Sequence, residues 1–124
     1  MPFSDNSFDR LIASHVLEHI HHPEIALHEW SRIVKPSGII SIALPCDPGI
    51  AWRLGRYISS SKRAKINGVN EWGLFTALEH VNSIDKLIIM LRFFFGKEKE
   101  CFWPFFVKSM DLNLFYVVHF HNEK

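Results

Sequence analysis

The sequence predicts an α/β fold, on three observations. A turn-rich start, Ser4-Asp5-Asn6-Ser7, gives way to the short apolar run Phe8-Asp9-Arg10-Leu11-Ile12-Ala13-Ser14. An amphipathic helical pattern opens at Pro23, and a second apolar run, Ile39 to Leu44, is bounded by Gly38 and Pro45. Strand, helix and strand in such quick succession form a βαβ unit with parallel strands and a right-handed crossover.

Each element has a local cause. The first run is bounded by turn residues and is short enough for a buried strand. Pro23 fits the first position of a helix and Glu24 favours its first turn. Ala26, Leu27, Trp30, Ile33 and Val34 recur at helical spacing and make one apolar stripe. Lys35-Pro36-Ser37-Gly38 is expected to stop the helix and turn the chain. Ile39–Leu44 is nearly continuous in apolar character, as in a parallel strand covered on both faces.

Residues 46–81 are less regular, with Pro48-Gly49, serines 59–61, Asn67-Gly68 and Trp72-Gly73, and read as an insertion with one or two short helices. A further helix is expected from a cap at Asn82 or Ser83 through Leu87, Ile88, Leu91 and Phe95, stopped by Gly96. Lys97-Glu98-Lys99-Glu100 reads as a polar turn. Two aromatic strands, about 101–107 and 112–120, close the chain. The organisation is one domain over 1–124: a βαβ core at 1–45, an insertion or substrate lid at 46–81, and a helix with an antiparallel strand pair at 82–124.

Composition narrows the function. Hydrophobic content of 48% against 22% charged residues is globular and argues against disorder. A net charge of +1 argues against a nucleic-acid backbone as the principal partner. Five bases and no acid lie within 51–70 (Arg53, Arg56, Lys62, Arg63, Lys65), a local run that suits an anionic small molecule as well as plain solvation. Cys46 and Cys101 form no metal or redox spacing, and no leader pattern opens the chain, so a reduced, cytoplasmic protein is expected. The most apolar stretch, Leu87 to Phe95, is too short to span a membrane.

The chemistry-bearing stretch is His15 to His22, HVLEHIHH. His15-Val16-Leu17-Glu18-His19 spells H-x-x-E-H, a zinc-protease signature in which a helix sets two histidines on one face and the glutamate is the base. Here the letters follow a strand directly, and Pro23 opens the next helix four residues after His19. They therefore belong to a strand-to-helix loop, and no metal ligand set is expected. In an open parallel sheet that loop, beyond the carboxyl end of a strand, is where ligands bind. Ser14 to His19 are the candidate contacts.

The segment PFSDNSFDRLIASHVLEHIHHPEIALHEWSRIVKPSGIISIALP, Pro2 to Pro45, resembles the central part of a class I S-adenosylmethionine-dependent methyltransferase, of the broad type 11 group. Ser37 stands where that family usually has glycine. The resemblance implies a partial Rossmann-like methyltransferase fold: strands four to seven of a seven-stranded sheet, with the first three strands and the glycine-rich cofactor loop lacking a counterpart. It implies S-adenosylmethionine as cofactor, with Ser14, His15 and Val16 lining its methionine side and Pro2 and Phe3 near its adenine end. It also implies a small-molecule acceptor, with His19, or else His15, as the candidate base. Two other readings stay open: a non-catalytic module that pairs, as a homodimer or with a partner, through an exposed sheet edge, and, least favoured, a zinc hydrolase.

Overall fold

The computed structural model describes residues 2–96 and 98–123. Lys97, in the expected polar turn, lies outside them. Strand β1, Phe8–Ser14, leads through a 3-10 turn at Leu17–His19 into helix α1, Pro23–Ile33, and on to β2, Val34–Pro45. Four helical pieces follow: α2 (Ile50–Arg56), α3 (Lys62–Ile66), α4 (Trp72–Glu79) and α5 (Ile84–Phe95). Strands β3, Glu100–Trp103, and β4, Phe115–His121, complete one sheet in the order β1-β2-β4-β3. β1 and β2 run parallel, whereas β4 runs antiparallel to both β2 and β3.

Register decides which side chains meet. Leu11 and Ala13 stand beside Ile40 and Ile42, which in turn face Phe120 and Val118. Because strand side chains alternate, these positions share one face of the sheet. Leu27, Trp30 and Ile33 of α1 and Leu87, Ile88 and Leu91 of α5 join them in one buried cluster. Each such large aliphatic side chain contributes about 1.5–3 kcal/mol when removed from water. The opposite face carries Arg10, Ile12, Ser41, His119, Cys101 and Trp103; Ile12 is 72% exposed in mid-strand. On that face Arg10 donates to the Ser41 hydroxyl at 3.0 Å, and the His119 ring meets the same hydroxyl at 2.9 Å.

Three expectations need correction. Lys35-Pro36-Ser37-Gly38 does not separate helix from strand. These residues lie within β2, and the slip in register between Phe8↔Val34 and Arg10↔Ile39 absorbs them as an irregularity. Ser37 bends the backbone with φ +62, and its N–H is satisfied by the Asn122 carbonyl at 2.9 Å. Gly38 permits the close approach, since a Cβ there would lie 3.0 Å from the Asp9 carbonyl oxygen.

Second, residues 46–81 are more helical than their serines and glycines suggest. One helical path runs from Ile50 to Ile66, widened by a π turn at Tyr57–Ser61. It contains no proline to stop it, and Ser59 back-bonds to the Gly55 carbonyl at 2.8 Å. Third, the closing strands are shorter than expected. Pro104 cannot donate to a ladder, and the fully buried Asn113 organises the connecting loop. Its carboxamide accepts from Phe105 N at 2.9 Å and donates to the carbonyls of Val107 and Ser109, each at 2.8 Å.

Strand β3 is tied to α5 by charge. Arg92 clamps both oxygens of Glu100 at 2.7 Å, and the Tyr116 hydroxyl donates to the same carboxylate at 3.1 Å. The Arg92 guanidinium holds the Glu100 carboxyl below the usual carboxylate range. A carboxyl depressed in the folded state adds stability above its unfolded value of about 4.3, and that stability is lost as pH falls through the lower folded value. Glu100→Gln is therefore expected to cost about 1–2 kcal/mol at neutral pH. The gap from wild type should close below about pH 4 when both are followed by thermal unfolding.

Candidate functional site

The parallel pair brings the carboxyl ends of β1 and β2 together, and the site is built there. Ser14 pairs with Ala43, and the next amide, His15 N, donates to the Ala43 carbonyl at 3.0 Å. His15 then turns the chain with φ +54. Its ring stands edge-on to Phe115 at 5.5 Å, and Phe115 meets Trp52 of α2 at 5.8 Å. One aromatic side chain at the start of β4 thus joins the HVLEH loop to the helices above it.

That loop is held from below by Asn82. Its buried carboxamide donates to the carbonyls of Leu17 at 3.0 Å and Ile20 at 2.6 Å, while its own N–H bonds Glu18 O at 3.2 Å. Asn82 was one of two expected caps for α5; Ser83 takes the cap position and Asn82 fastens the loop. Leu17 fills the core with no exposure, so the 3-10 turn points Leu17 and Glu18 inward.

Glu18 is the anomaly. It is 2% exposed, and neither carboxylate oxygen has a hydrogen-bond partner among the described residues. The nearest cationic candidates are His15 Nδ1 at 3.5 Å and His19 Nε2 at 3.7 Å. A buried carboxylate without hydrogen bonds opposes folding. Among the described residues no group of three or more His, Cys, Asp or Glu side chains is arranged to hold a metal ion. The H-x-x-E-H letters fall on a 3-10 turn rather than on one face of an α-helix.

His19 uses Nδ1 to bond the Glu79 carbonyl at 2.8 Å, which ties the loop to the end of α4. Its ring packs edge-on against His80 at 4.8 Å. His80 Nδ1 lies 2.7 Å from Asp47 Oδ2, and Arg56 Nη1 stands 3.9 Å from the same oxygen. Asp47 follows β2 by two residues, and His80 follows α4, so this pair also sits at the strand ends. A cavity of about 350 Å³ opens beside it, walled by Trp52, Trp72, Arg56, Thr76, His80 and Leu114.

Of the expected site residues, Ser14, His15, Val16 and His19 come together, with His15 and Val16 partly open to solvent. Pro2 and Phe3 do not join them. Phe3 packs edge-on against Phe8 at 5.0 Å, and Arg32 donates to its carbonyl at 2.9 Å, at the opposite end of β1. Seven residues of strand put about 20 Å between those ends. His21 and His22 are exposed and lead into α1. The sequence reading missed Asp47, His80, Trp52 and Trp72. Asp47 and His80 lie 33 positions apart, and no local spacing links them.

A family model described as a methyltransferase domain matches residues 1–42. Demethylmenaquinone methyltransferases of Corynebacterium efficiens and Corynebacterium glutamicum (strain R) are each 42% identical over 43 residues, which is 35% of this chain and 19% of theirs. The matched segment therefore spans about a fifth of the length of these relatives. Among solved structures, a methyltransferase from Thermotoga maritima described as a possible histamine N-methyltransferase aligns with a TM-score of 0.59 at 20% identity, over 98% of this chain and 59% of that one. A chain from the complex of the Haloferax volcanii Trm112 methyltransferase activator with a methyltransferase aligns at 0.62 and 13% identity, over 100% and 58%. The two structural likenesses establish a methyltransferase-like α/β fold, and the sequence matches bear out the resemblance to class I S-adenosylmethionine-dependent methyltransferases. S-adenosylmethionine is the cofactor that this resemblance implies.

The orphaned carboxylate gives a direct test of site against stability. Glu18→Gln replaces the buried acid by a neutral group of the same shape and is expected to stabilise the fold by about 1–3 kcal/mol in chemical denaturation. An equal or larger loss of stability would mean that Glu18 is an ordinary structural anchor.

Proposed function

We infer that this chain, whose residues 1–42 match the methyltransferase domain family, is part of a class I enzyme that transfers a methyl group from S-adenosylmethionine to a small-molecule acceptor. On this reading its sheet corresponds to strands four to seven of the family's seven-stranded arrangement, with β1 as the fourth. The order β1-β2-β4-β3, with an antiparallel strand inserted beside β2, is compatible with that correspondence.

One observation carries the reading: at the carboxyl ends of the two parallel strands, where such folds bind ligands, the family-matched loop packs through His19 on Glu79 and His80, two residues that wall a cavity. Ser14, His15 and Val16 would hold the methionine end of the cofactor. The fit is chemical as well as positional, because Glu18 places a carboxyl group behind that loop and the cofactor's sulfur is positively charged. When bound, the cofactor supplies a methyl group on a leaving sulfur. The protein's part is to orient the acceptor, exclude water and accept a proton, for which the imidazoles of His19 and His80 are at hand. Pro2 and Phe3 serve β1's start rather than this site, and the helices from Ile50 to Glu79 act as the substrate lid.

A second reading has its own observation. β1 is an edge strand with Ile12 72% exposed on the open sheet face, which suits pairing with another strand or copy. No helix among the described residues is long and apolar enough to cross a membrane. The zinc-hydrolase reading has no support in the loop's geometry.

Calorimetric titration with S-adenosylmethionine, on this chain and on a version extended upstream in its gene, separates these readings. The expected result is weak binding by the chain and clearly tighter binding by the extended form. Absence of binding in both would overturn the methyltransferase reading.

A further inference from the structure

We propose that His80, oriented by Asp47, is the general base of the site and that the acceptor it serves is a ring-sized aromatic hydroxyl compound seated in the cavity under the lid. The proposal rests on the methyl-transfer reading and names its substrate class. The Asp47 carboxylate, 2.7 Å from Nδ1, accepts a hydrogen bond and so keeps the proton on that nitrogen. This leaves the Nε2 lone pair as the basic position, and Nε2 has no hydrogen-bond partner among the described residues, although His80 lines the cavity. His19 is placed differently. Its Nδ1 is engaged by the Glu79 carbonyl and its Nε2 looks onto the Glu18 carboxylate at 3.7 Å.

The cavity selects what His80 would meet. About 350 Å³ between two indoles and Leu114 accommodates a flat ring system with few substituents. A phenolic hydroxyl, with an ordinary pKa of about 10, yields its proton to an imidazole far more readily than an aliphatic alcohol does. The negative oxygen so formed has a cationic donor in the same wall, the Arg56 guanidinium.

In the transfer, the acceptor's O–H proton passes to His80 Nε2 and the freed oxygen electron pair forms the O–CH3 bond. The electron pair of the broken C–S bond stays on sulfur, which becomes a neutral thioether. The imidazolium then returns its proton to water. No further reactant is needed.

The test uses 4-nitrophenol, whose anion is yellow, on the whole chain without cofactor. Difference spectra near neutral pH should show bound probe enriched in phenolate, with its ionisation lowered by about one pKa unit, a tenfold shift. His80→Gln and Asp47→Asn should abolish the shift, whereas Lys65→Gln, an exposed lid position, should keep it. Trp72→Phe trades the indole in the cavity wall for a smaller phenyl and should weaken binding several-fold, which gives a readout even if a His80 variant fails to fold. Absence of binding, binding without a colour change, or a shift that survives His80→Gln would each overturn the proposal. Because no cofactor is present, these outcomes are independent of the S-adenosylmethionine titration, which tests the underlying reading.

Discussion

The parallel pairing of β1 with β2 is the constraint on which the rest depends. A parallel neighbour cannot follow through a tight turn, so the chain must cross over through α1 on one face. That crossover sets Leu27, Trp30 and Ile33 against Ile40 and Ile42, and it makes both strands end at the same edge. There the HVLEH loop leaves Ser14 and the Asp47 turn leaves Pro45. Neither loop would face the other if the two strands ran antiparallel.

Packing and chemistry separate cleanly along this edge. Leu17 anchors the loop in the core, and Asn82 ties down the Leu17 and Ile20 carbonyls. Above it, His19 bonds the end of α4 and His80 bonds Asp47, so the end of α4 is joined to the loops that follow β1 and β2 through two imidazoles. Against this well-satisfied frame stands Glu18, its side chain buried and without a hydrogen-bond partner among the described residues. Such a group is retained against stability, which is where function is to be expected.

Much of this was legible in the residues. Pro23 and the stripe of Leu27, Trp30 and Ile33 placed α1, and the apolar runs ending at Ser14 and Pro45 placed the two parallel strands. The loop position of H-x-x-E-H followed from Pro23, since a helix opening there leaves no room for the motif inside one. What was not legible depends on distant contacts. The helical path from Ile50 to Ile66 was obscured by Gly55 and three serines, whose weak local preferences are overridden where the chain closes over the strand ends. The extended Lys35–Gly38 segment depends on register with Asp9 and on the Asn122 carbonyl, nearly ninety positions away. Asp47 and His80 carry no motif and are related only by the fold. Pro2 and Phe3, which the resemblance put near the adenine end of the cofactor, lie at the end of β1 opposite the loop.

The central claim is that ligand chemistry is concentrated at the carboxyl ends of β1 and β2. Amide chemical-shift mapping of the isotope-labelled chain during addition of S-adenosylmethionine tests it most directly. The account predicts that the largest shifts fall on Ser14 to His19 and on Asp47 and His80. Shifts centred on Phe3 and Phe8 at the other end of β1, or spread along its open edge with the loop unmoved, would contradict it.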